Sequence, residues 1–144
     1  MTAKEYLERP EAIAREIRRK HGRIDTLRRL AARFGKQLND VRVQETPDPT
    51  RMQGFLADAA DEEREIALLE EKLQEALCDS ARLIALLPSE EMARILERRY
   101  LDRWSWEEII EETDLSRTQV FERHRTALDI LTPAPETGDE ENRQ

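Results

Sequence analysis

The chain has 144 residues, of which 39% are charged and only 5% are aromatic, and its formal net charge is −8. This composition is typical of long, solvent-exposed helices and argues against a compact mixed domain. No apolar run approaches the roughly 18 residues that span a bilayer, and the N-terminus lacks the apolar core of a secretory signal. Because Cys78 is the single cysteine, no internal disulfide can form, and we expect an intracellular, cytoplasmic protein.

The charges are segregated along the sequence. Residues 1–38 contain eleven Lys and Arg against five Asp and Glu, whereas residues 48–87 contain four against ten, so these stretches carry +6 and −6. Opposite charge on two stretches of similar length favours a structure in which they lie against each other. The basic face of the first stretch has two open interpretations, a solvated or internally paired surface and a contact with nucleic acid.

Apolar residues in both stretches recur with alternating steps of three and four, which is the a/d spacing of a coiled-coil seam. The first seam contains Ile13, Ile17, Lys20, Ile24, Leu27, Ala31, Phe34 and Leu38. The second contains Met52, Phe55, Ala59, Glu62, Ile66, Leu69, Leu73, Ala76, Ser80, Leu83 and Leu87. Each seam predicts a long helix. Pro10 fits the first turn of the first helix, with residues 2–9 as a helical lead-in or a kink.

The segment from residue 39 to residue 49 contains two prolines and little apolar surface, which predicts a loop, and Asp48 is placed to cap the second helix. An antiparallel return in which facing residue numbers sum to about 90 sets Lys20 near Glu70 and Arg28 near Glu62. The second helix carries more apolar surface than one partner covers, which predicts contact with the C-terminal module or another subunit. We expect self-association, because a two-helix hairpin buries little core.

Three shorter helices are predicted in residues 88–132. The first follows from the apolar spacing in SEEMARILERRYLD, after the helix-breaking pair Leu87-Pro88. The second and third each start with a capping box, Ser105-Trp-Glu-Glu and Ser116-Arg-Thr-Gln. Two capped helices separated by a short turn at Asp114-Leu115 form a helix-turn-helix pattern, in which the second helix would enter the DNA major groove.

The last of these helices is predicted to direct a set of polar side chains outward. Arginine can bind guanine O6 and N7, glutamine can pair with adenine, and glutamate can accept from cytosine N4. The candidate base-contacting residues are Arg117, Thr118, Gln119, Glu122, Arg123 and Thr126, and the candidate phosphate-contacting residues are Arg103 and Arg125. Taken one by one they also fit an ordinary polar surface, but as a set at the start of a capped helix they favour DNA contact.

The sequence gives little support for catalysis, a metal site or a cofactor. His21 and His124 are far apart, Cys78 has no neighbouring cysteine or histidine, and there is no glycine-rich phosphate loop. We therefore expect no enzyme activity and no bound cofactor. His124 fits either a packing role or a phosphate donor.

The segment LPSEEMARILERRYLDRWSWEEIIEETDLSRTQVFERHRTALDIL resembles region 4 of sigma-70-type RNA polymerase sigma factors. The pattern is a helix ending in R-Y-L (99–101), an acidic helix, S-x-x-x-V (116–120) and a final helix with H-R-x-A-L (124–128). The whole chain is similar to small phage and prophage late transcription regulators of the sigma-like or ArpU/RinA-like kind. That similarity rests on K-E-Y-L (4–7), L-R-x-x-A (27–31) and V-Q (43–44).

The resemblance implies binding to double-stranded DNA and control of phage transcription, with host RNA polymerase as a second partner. It assigns recognition to Arg117, Gln119 and Arg123, and packing to Tyr100, Trp106 and His124. No segment matches a region that reads the promoter −10 element, so full sigma activity is not expected. Residues 88–132 contain seven Lys and Arg against eleven Asp and Glu, a net charge of −4, so one copy should bind DNA weakly.

These observations predict an all-α protein. A long antiparallel helical hairpin of the coiled-coil type occupies residues 1–87, a three-helix module residues 88–132, and a disordered acidic tail residues 133–144. The predicted function is sequence-specific DNA binding by a homo-oligomeric phage or prophage transcriptional regulator. Two alternatives remain, a small-terminase-like subunit for DNA packaging and a protein-interaction adaptor that does not bind DNA.

Overall fold

The computed structural model describes residues 1–39 and 49–132, and this part of the chain is all-α, as predicted. The helices are α1 (Ala3–Asn39), α2 (Pro49–Ile84), α3 (Glu90–Leu96), α4 (Trp106–Thr113) and α5 (Arg117–Leu131), with a π-helical turn (Glu97–Leu101) after α3. None of these helices combines the length and the apolar character needed to cross a membrane. The predicted loop, the Asp48 cap and the acidic tail lie outside the described residues.

α1 is one continuous helix with Pro10 in its interior, so Pro10 does not stand in the first turn, whereas the predicted helical lead-in before it is confirmed from Ala3 onward. A proline in a helix interior removes one backbone hydrogen bond and costs about 3 kcal/mol. Two features offset this cost. Thr2 caps the helix by accepting from the N–H of Glu5 at 3.2 Å, and Ala3 and Leu7 are each only 1% exposed.

The chain forms two compact units. One consists of residues 13–73, and the other, named the terminal unit here, combines residues 1–12 with the chain from residue 74 onward. Both long helices therefore contribute to both units. The domain boundary predicted after residue 87 rests on sequence motifs, whereas the two units are defined by which residues pack together.

The 13–73 unit has an apolar core between α1 and α2. Its buried residues are Ile17, Ile24, Leu27, Ala59 and Ile66, all of which are seam positions in the sequence. Near one end, the rings of Phe34 and Phe55 lie 5.7 Å apart. Lys20, which precedes Phe34 on α1, pairs with Glu62 and Glu65, which follow Phe55 on α2. Within this unit the two helices therefore run antiparallel.

The 13–73 unit keeps the predicted register, in which facing residue numbers sum to about 90, because Phe34 contacts Phe55 and Arg28 pairs next to its predicted partner Glu62. Lys20 alone has other partners than the predicted one. Lys20 Nζ lies 3.0 Å from Glu62 and 2.5 Å from Glu65, rather than near Glu70, and Arg28 pairs with Glu63. Hydrogen bonds to Glu65 and then to Glu62 raise the pKa of Lys20 above its usual value. Seam spacing therefore predicts the axial offset of the two helices, whereas the long Lys20 side chain can reach carboxylates one or two turns away, so spacing does not predict its partner.

The terminal unit contains two apolar clusters. The larger one gathers buried residues from α1, α2, α3 and α5, namely Ala3, Leu7, Ile84, Leu96, Ala127 and Leu131. The smaller one consists of Ile95 of α3, Ile109 of α4 and Val120 of α5, all fully buried. The N–H of Ala3 also donates to Thr132 Oγ1 at 3.4 Å. The start of α1 is thereby joined to the end of α5.

Both predicted capping boxes are confirmed. Ser105 Oγ accepts from the N–H of Glu108 at 3.2 Å, and Glu108 accepts from the N–H of Ser105 at 2.9 Å. Ser116 and Gln119 repeat the arrangement at 3.1 and 3.0 Å. Between the two boxes, α4 ends at Asp114 in the left-handed conformation with φ of 57°, which aspartate adopts more readily than most residues. This conformation lets α5 start after a three-residue link.

Ser80 of α2 is fully buried, and its hydroxyl has no hydrogen-bond partner in the part of the chain that the structure describes. An unsatisfied buried hydroxyl costs about 1–3 kcal/mol, so Ser80→Ala is expected to raise the free energy of unfolding by about 1 kcal/mol. Chemical denaturation measures the change. As a matched control, Ser116→Ala removes the same atom from a capping box and is expected to lower stability by about 1 kcal/mol. A loss of stability in both variants would contradict an unsatisfied Ser80.

Candidate nucleic-acid interface

α5 has a buried side and an exposed side. Val120, Ala127 and Leu131 face the core and are buried. On the opposite side, Thr118, Glu122, Arg125 and Thr126 are exposed. Thr118, Glu122 and Arg125 follow one another at steps of four and three, so they share one stripe of the helix surface. This group, the α5 stripe, runs from the first turn of the helix to its middle.

The two arginines that the sequence assigns to base recognition lie at the edges of this exposed side. Arg117 is 58% exposed, and its Nη2 donates to Glu107 of α4 at 3.3 Å. Its guanidinium carbon also lies 5.7 Å from the centre of the Phe121 ring. The Glu107 pKa is below its usual value, first because a backbone N–H at the start of α4 donates to the carboxylate and then because of Arg117.

Arg123 is held more firmly than Arg117. It is 32% exposed, its Nε donates to Glu91 of α3, and its Nη1 lies 3.4 Å from the carbonyl oxygen of Gln119. Each of the two arginines therefore has a carboxylate partner on a different neighbouring helix. Sequence spacing gave no signal for either pair, because the partners lie on separate elements.

Gln119 and Arg103 are also engaged within the molecule. The Oε1 atom of Gln119 accepts from the N–H of Ser116, and a two-point contact with adenine would need that same acceptor. Arg103 has φ of 59° and donates to Glu11 of α1 at 2.9 Å. By contrast, Arg125 is exposed and has no ion pair or hydrogen bond within the described ranges.

Aromatic side chains pack between α4 and the first turns of α5. The ring of Trp106 lies 4.8 Å from Phe121 and 4.8 Å from His124, both in edge-on geometry. The guanidinium of Arg99 covers Trp106 at 4.5 Å. Such contacts contribute about 0.5–1.5 kcal/mol each beyond burial. They bind the π-helical turn, α4 and α5 together and confirm the packing role predicted for Trp106.

Tyr100 of the π-helical turn and His124 of α5 form a half-buried polar pair that the sequence did not predict. Tyr100 Oη lies 2.7 Å from His124 Nε2. Burial raises the pKa of Tyr100 to about 12. Burial, together with Lys4 and Arg99, lowers the pKa of His124 to about 4. Both groups are neutral at pH 7, so one hydrogen bond joins them, and its donor is Tyr100 Oη or His124 Nε2 according to which ring nitrogen carries the proton. This arrangement favours packing over phosphate donation for His124.

Comparison of the chain with known protein families, with curated proteins and with solved structures finds no match. The likeness to sigma region 4 and to phage regulators therefore stays a prediction based on sequence motifs. The local geometry of α3 to α5 is the remaining basis for a functional proposal.

The His124 pKa predicts a specific loss of stability in acid. In the unfolded chain the imidazole takes up a proton as the pH falls through about 6.5, whereas in the folded chain it resists protonation down to about 4. Its contribution to stability is therefore complete above pH 6.5 and is lost progressively between 6.5 and 4. The loss is on the order of 1–2 kcal/mol after allowance for partial solvent exposure.

Unfolding titrations at pH 7.5 and 4.5 test this expectation, because His124→Gln should lose less stability than the wild type over that interval. His21→Gln provides the matched control, since His21 is exposed on α1, and it should behave as the wild type does. If His124→Gln also follows the wild type, the half-buried, neutral state of His124 is contradicted.

Proposed function

We propose that the protein binds double-stranded DNA through the exposed side of α5, with residues 88–132 acting as a helix-turn-helix module, and that it regulates transcription in a phage or prophage setting. One observation carries the proposal. A polar stripe on α5 faces solvent, and the helix is held from behind by buried residues of α3 and α4. A helix supported in this way can enter the major groove with its first turns on base edges.

The short link between α4 and α5 supports the same proposal. It consists of Asp114 in the left-handed conformation, Leu115, and the capping residue Ser116. These residues start α5 abruptly, so its first turns are not covered by a preceding loop. The exposed N-terminal turn of a helix also attracts phosphate groups through its free N–H groups.

We assign the central contacts to the α5 stripe. Arg125 is exposed and unpaired within the described ranges, so it can bind a guanine edge or a phosphate without first breaking an internal contact. Thr118 can contact either a base or a phosphate, and Glu122 can accept from cytosine N4. Arg117 and Arg123 take part by exchanging Glu107 and Glu91 for DNA. Exposed ion pairs of this kind are worth only about 0–1 kcal/mol, so the exchange is feasible.

The helices of the 13–73 unit complete the proposal. We interpret them as a coiled-coil hairpin that supports a homo-oligomer, because one module with a net charge of −4 binds DNA weakly. Two or more linked modules gain affinity from their combined contacts. RNA polymerase remains a second partner implied by the sequence resemblance alone.

A protein-interaction adaptor is the second candidate, and the ion pairs favour it. Arg103, Arg117 and Arg123 each have a carboxylate partner inside the molecule. These pairs reduce the positive potential that a DNA-binding surface requires. In that case the acidic surface of α4 would bind a basic protein, and α5 would read no bases.

Selection from a random duplex library, followed by fluorescence anisotropy, tests the DNA proposal. The wild type should enrich a preferred sequence, and Thr118→Ala/Arg125→Ala should reduce the preference for it over random duplex by about 10- to 100-fold. Arg94→Ala, which removes an exposed arginine from α3, should leave the preference intact. Failure of the wild type to bind any duplex at low salt would contradict DNA binding and support the adaptor.

The carboxylate partners of the α5 arginines give a second prediction. Glu107→Gln releases Arg117 and removes a negative charge beside it, so affinity for duplex DNA should rise by about two- to fivefold. Glu111→Gln makes the same charge change at an exposed residue of α4 that has no partner in the described chain. Anisotropy at one fixed salt concentration compares the two variants. An equal rise in both would mean that the Arg117–Glu107 pair does not compete with DNA.

A further inference from the structure

α1 carries a row of positive charges on the side that faces away from α2. At about 100° per residue, the members of this row fall within an arc of about 60° and extend for about 32 Å along the helix. They are Arg15, Arg18, Arg29, Arg33 and Lys36, and all five are exposed. The apolar residues that contact α2 lie on the opposite side of α1. We name this set the basic row.

Three acidic residues of α2, Glu62, Glu63 and Glu65, pair with cations of α1 outside the basic row. Lys20 pairs with Glu62 and Glu65, and Arg23 lies 3.3 Å from Glu62. In the basic row, by contrast, Arg15, Arg33 and Lys36 have no ion pair or hydrogen bond within the described ranges, and Arg29 donates only to a hydroxyl, that of Thr26, at 3.2 Å. The opposite charges of α1 and α2 therefore cancel beside the apolar contact and leave the outer side of α1 basic.

The middle of the row is sterically open to a partner, and the exposed Asp25 lies at its edge as an acidic neighbour. A Cβ atom at Gly22 would meet nothing within 4 Å. The hydroxyl of Thr26 is turned back to the carbonyl oxygen of Gly22 at 3.1 Å. A straight surface of this kind can lie along an extended, rigid partner.

We propose that the basic row binds the phosphate backbone of a DNA duplex without reading its sequence. The inference rests on the proposed function only in taking duplex DNA as the partner. A duplex is a rigid polyanion with about one charge per 1.7 Å of its axis, which matches a straight row of cations. Four of the five cations are arginines, whose planar group binds phosphate oxygens in pairs.

A membrane surface fits this side of α1 less well than DNA does. Helices that lie in a membrane interface insert an apolar face between lipids. In α1 that face is already covered by α2, since Ile17, Ile24 and Leu27 are buried against it. An acidic protein segment could use the same charges, and its binding is an outcome that the experiment below distinguishes.

The experiment compares two full-length variants with matched changes. The row variant is Arg15→Gln/Arg29→Gln/Arg33→Gln/Lys36→Gln, and the control variant is Arg64→Gln/Arg82→Gln/Arg94→Gln/Lys72→Gln. Each neutralises three arginines and one lysine, and circular dichroism and thermal melting verify that both remain helical. Anisotropy with random duplex and with the selected duplex is recorded across a salt series. The row variant should bind both duplexes at least tenfold more weakly, with the slope of log affinity against log salt reduced by about three to four.

The outcomes separate this inference from the proposed function. An unchanged preference for selected over random duplex in the row variant is expected, because phosphate contacts carry no sequence information. Equal losses in the row and control variants would overturn the inference, while the proposed function would stand if Thr118→Ala/Arg125→Ala still lost its preference. Row-dependent binding with no effect of the α5 variant would overturn the proposed function alone. Absence of binding to any duplex at low salt, or row-dependent binding only to polyglutamate or anionic vesicles, would overturn both.

If the row variant fails to fold, the single changes Arg15→Gln and Arg33→Gln provide the same test at exposed residues. Each should reduce the salt slope by about one. Lys72→Gln, a single exposed change on α2, should leave the slope near its wild-type value. A slope that none of the three changes alters would contradict the inference.

Discussion

A contact among three β-branched side chains supports the whole C-terminal part of the molecule. Ile95, Ile109 and Val120 come from three different helices and are fully buried against one another. The helices α3 and α4 have only seven and eight residues, and helices of that length are not stable in isolation. Their existence depends on this contact. The exposed stripe of α5 is held in place by Val120 on its opposite side, together with the buried Ala127 and Leu131.

Within the described ranges, the arginines and lysines fall into two groups, those that have a carboxylate partner and those that do not. Most arginines near α5 have carboxylate partners, as Arg117 and Arg123 do, while Arg125 and several members of the basic row do not. Exposed pairs add little to stability, but they lower the potential that an approaching polyanion meets. The unpaired cations therefore define where a phosphate backbone could approach, although the net charge of the chain is negative.

The features that the sequence predicted well are local ones. The seam residues of α1 and α2, both capping boxes and the turn at Asp114 follow from spacings of three to seven residues, and those spacings act through neighbouring turns of one helix. They were sufficient to predict an all-α chain and the position of α5. They were also sufficient to predict that Thr118, Glu122 and Thr126 would be exposed.

The features that the sequence did not predict depend on contacts between distant elements. Long charged side chains have many rotamers and several partners of similar energy, so neither Arg123–Glu91 nor the partners of Lys20 could be derived from spacing. The interior position of Pro10 depends on burial of Ala3 and Leu7 in the terminal unit, which overrides the local preference of proline for a first turn. The Tyr100–His124 pair needs the π-helical turn, for which the sequence has no recognisable signal.

The hydrogen bond between Ala3 and Thr132 affects how the chain folds as it is synthesised. The two residues are 129 positions apart, and the buried Leu7 shares its cluster with Ala127 and Leu131. At 5–20 residues per second, a ribosome needs roughly 6–25 s to make the chain between them. Throughout that interval the first turns of α1 lack the part of their covering surface that α5 supplies, whereas the 13–73 unit, which is contiguous in sequence, can already fold. Completion of the terminal unit is therefore a late step that closes a long loop. In a nascent chain that stalls before α5 is made, part of the apolar surface of Leu7 stays exposed, and chaperones can bind it.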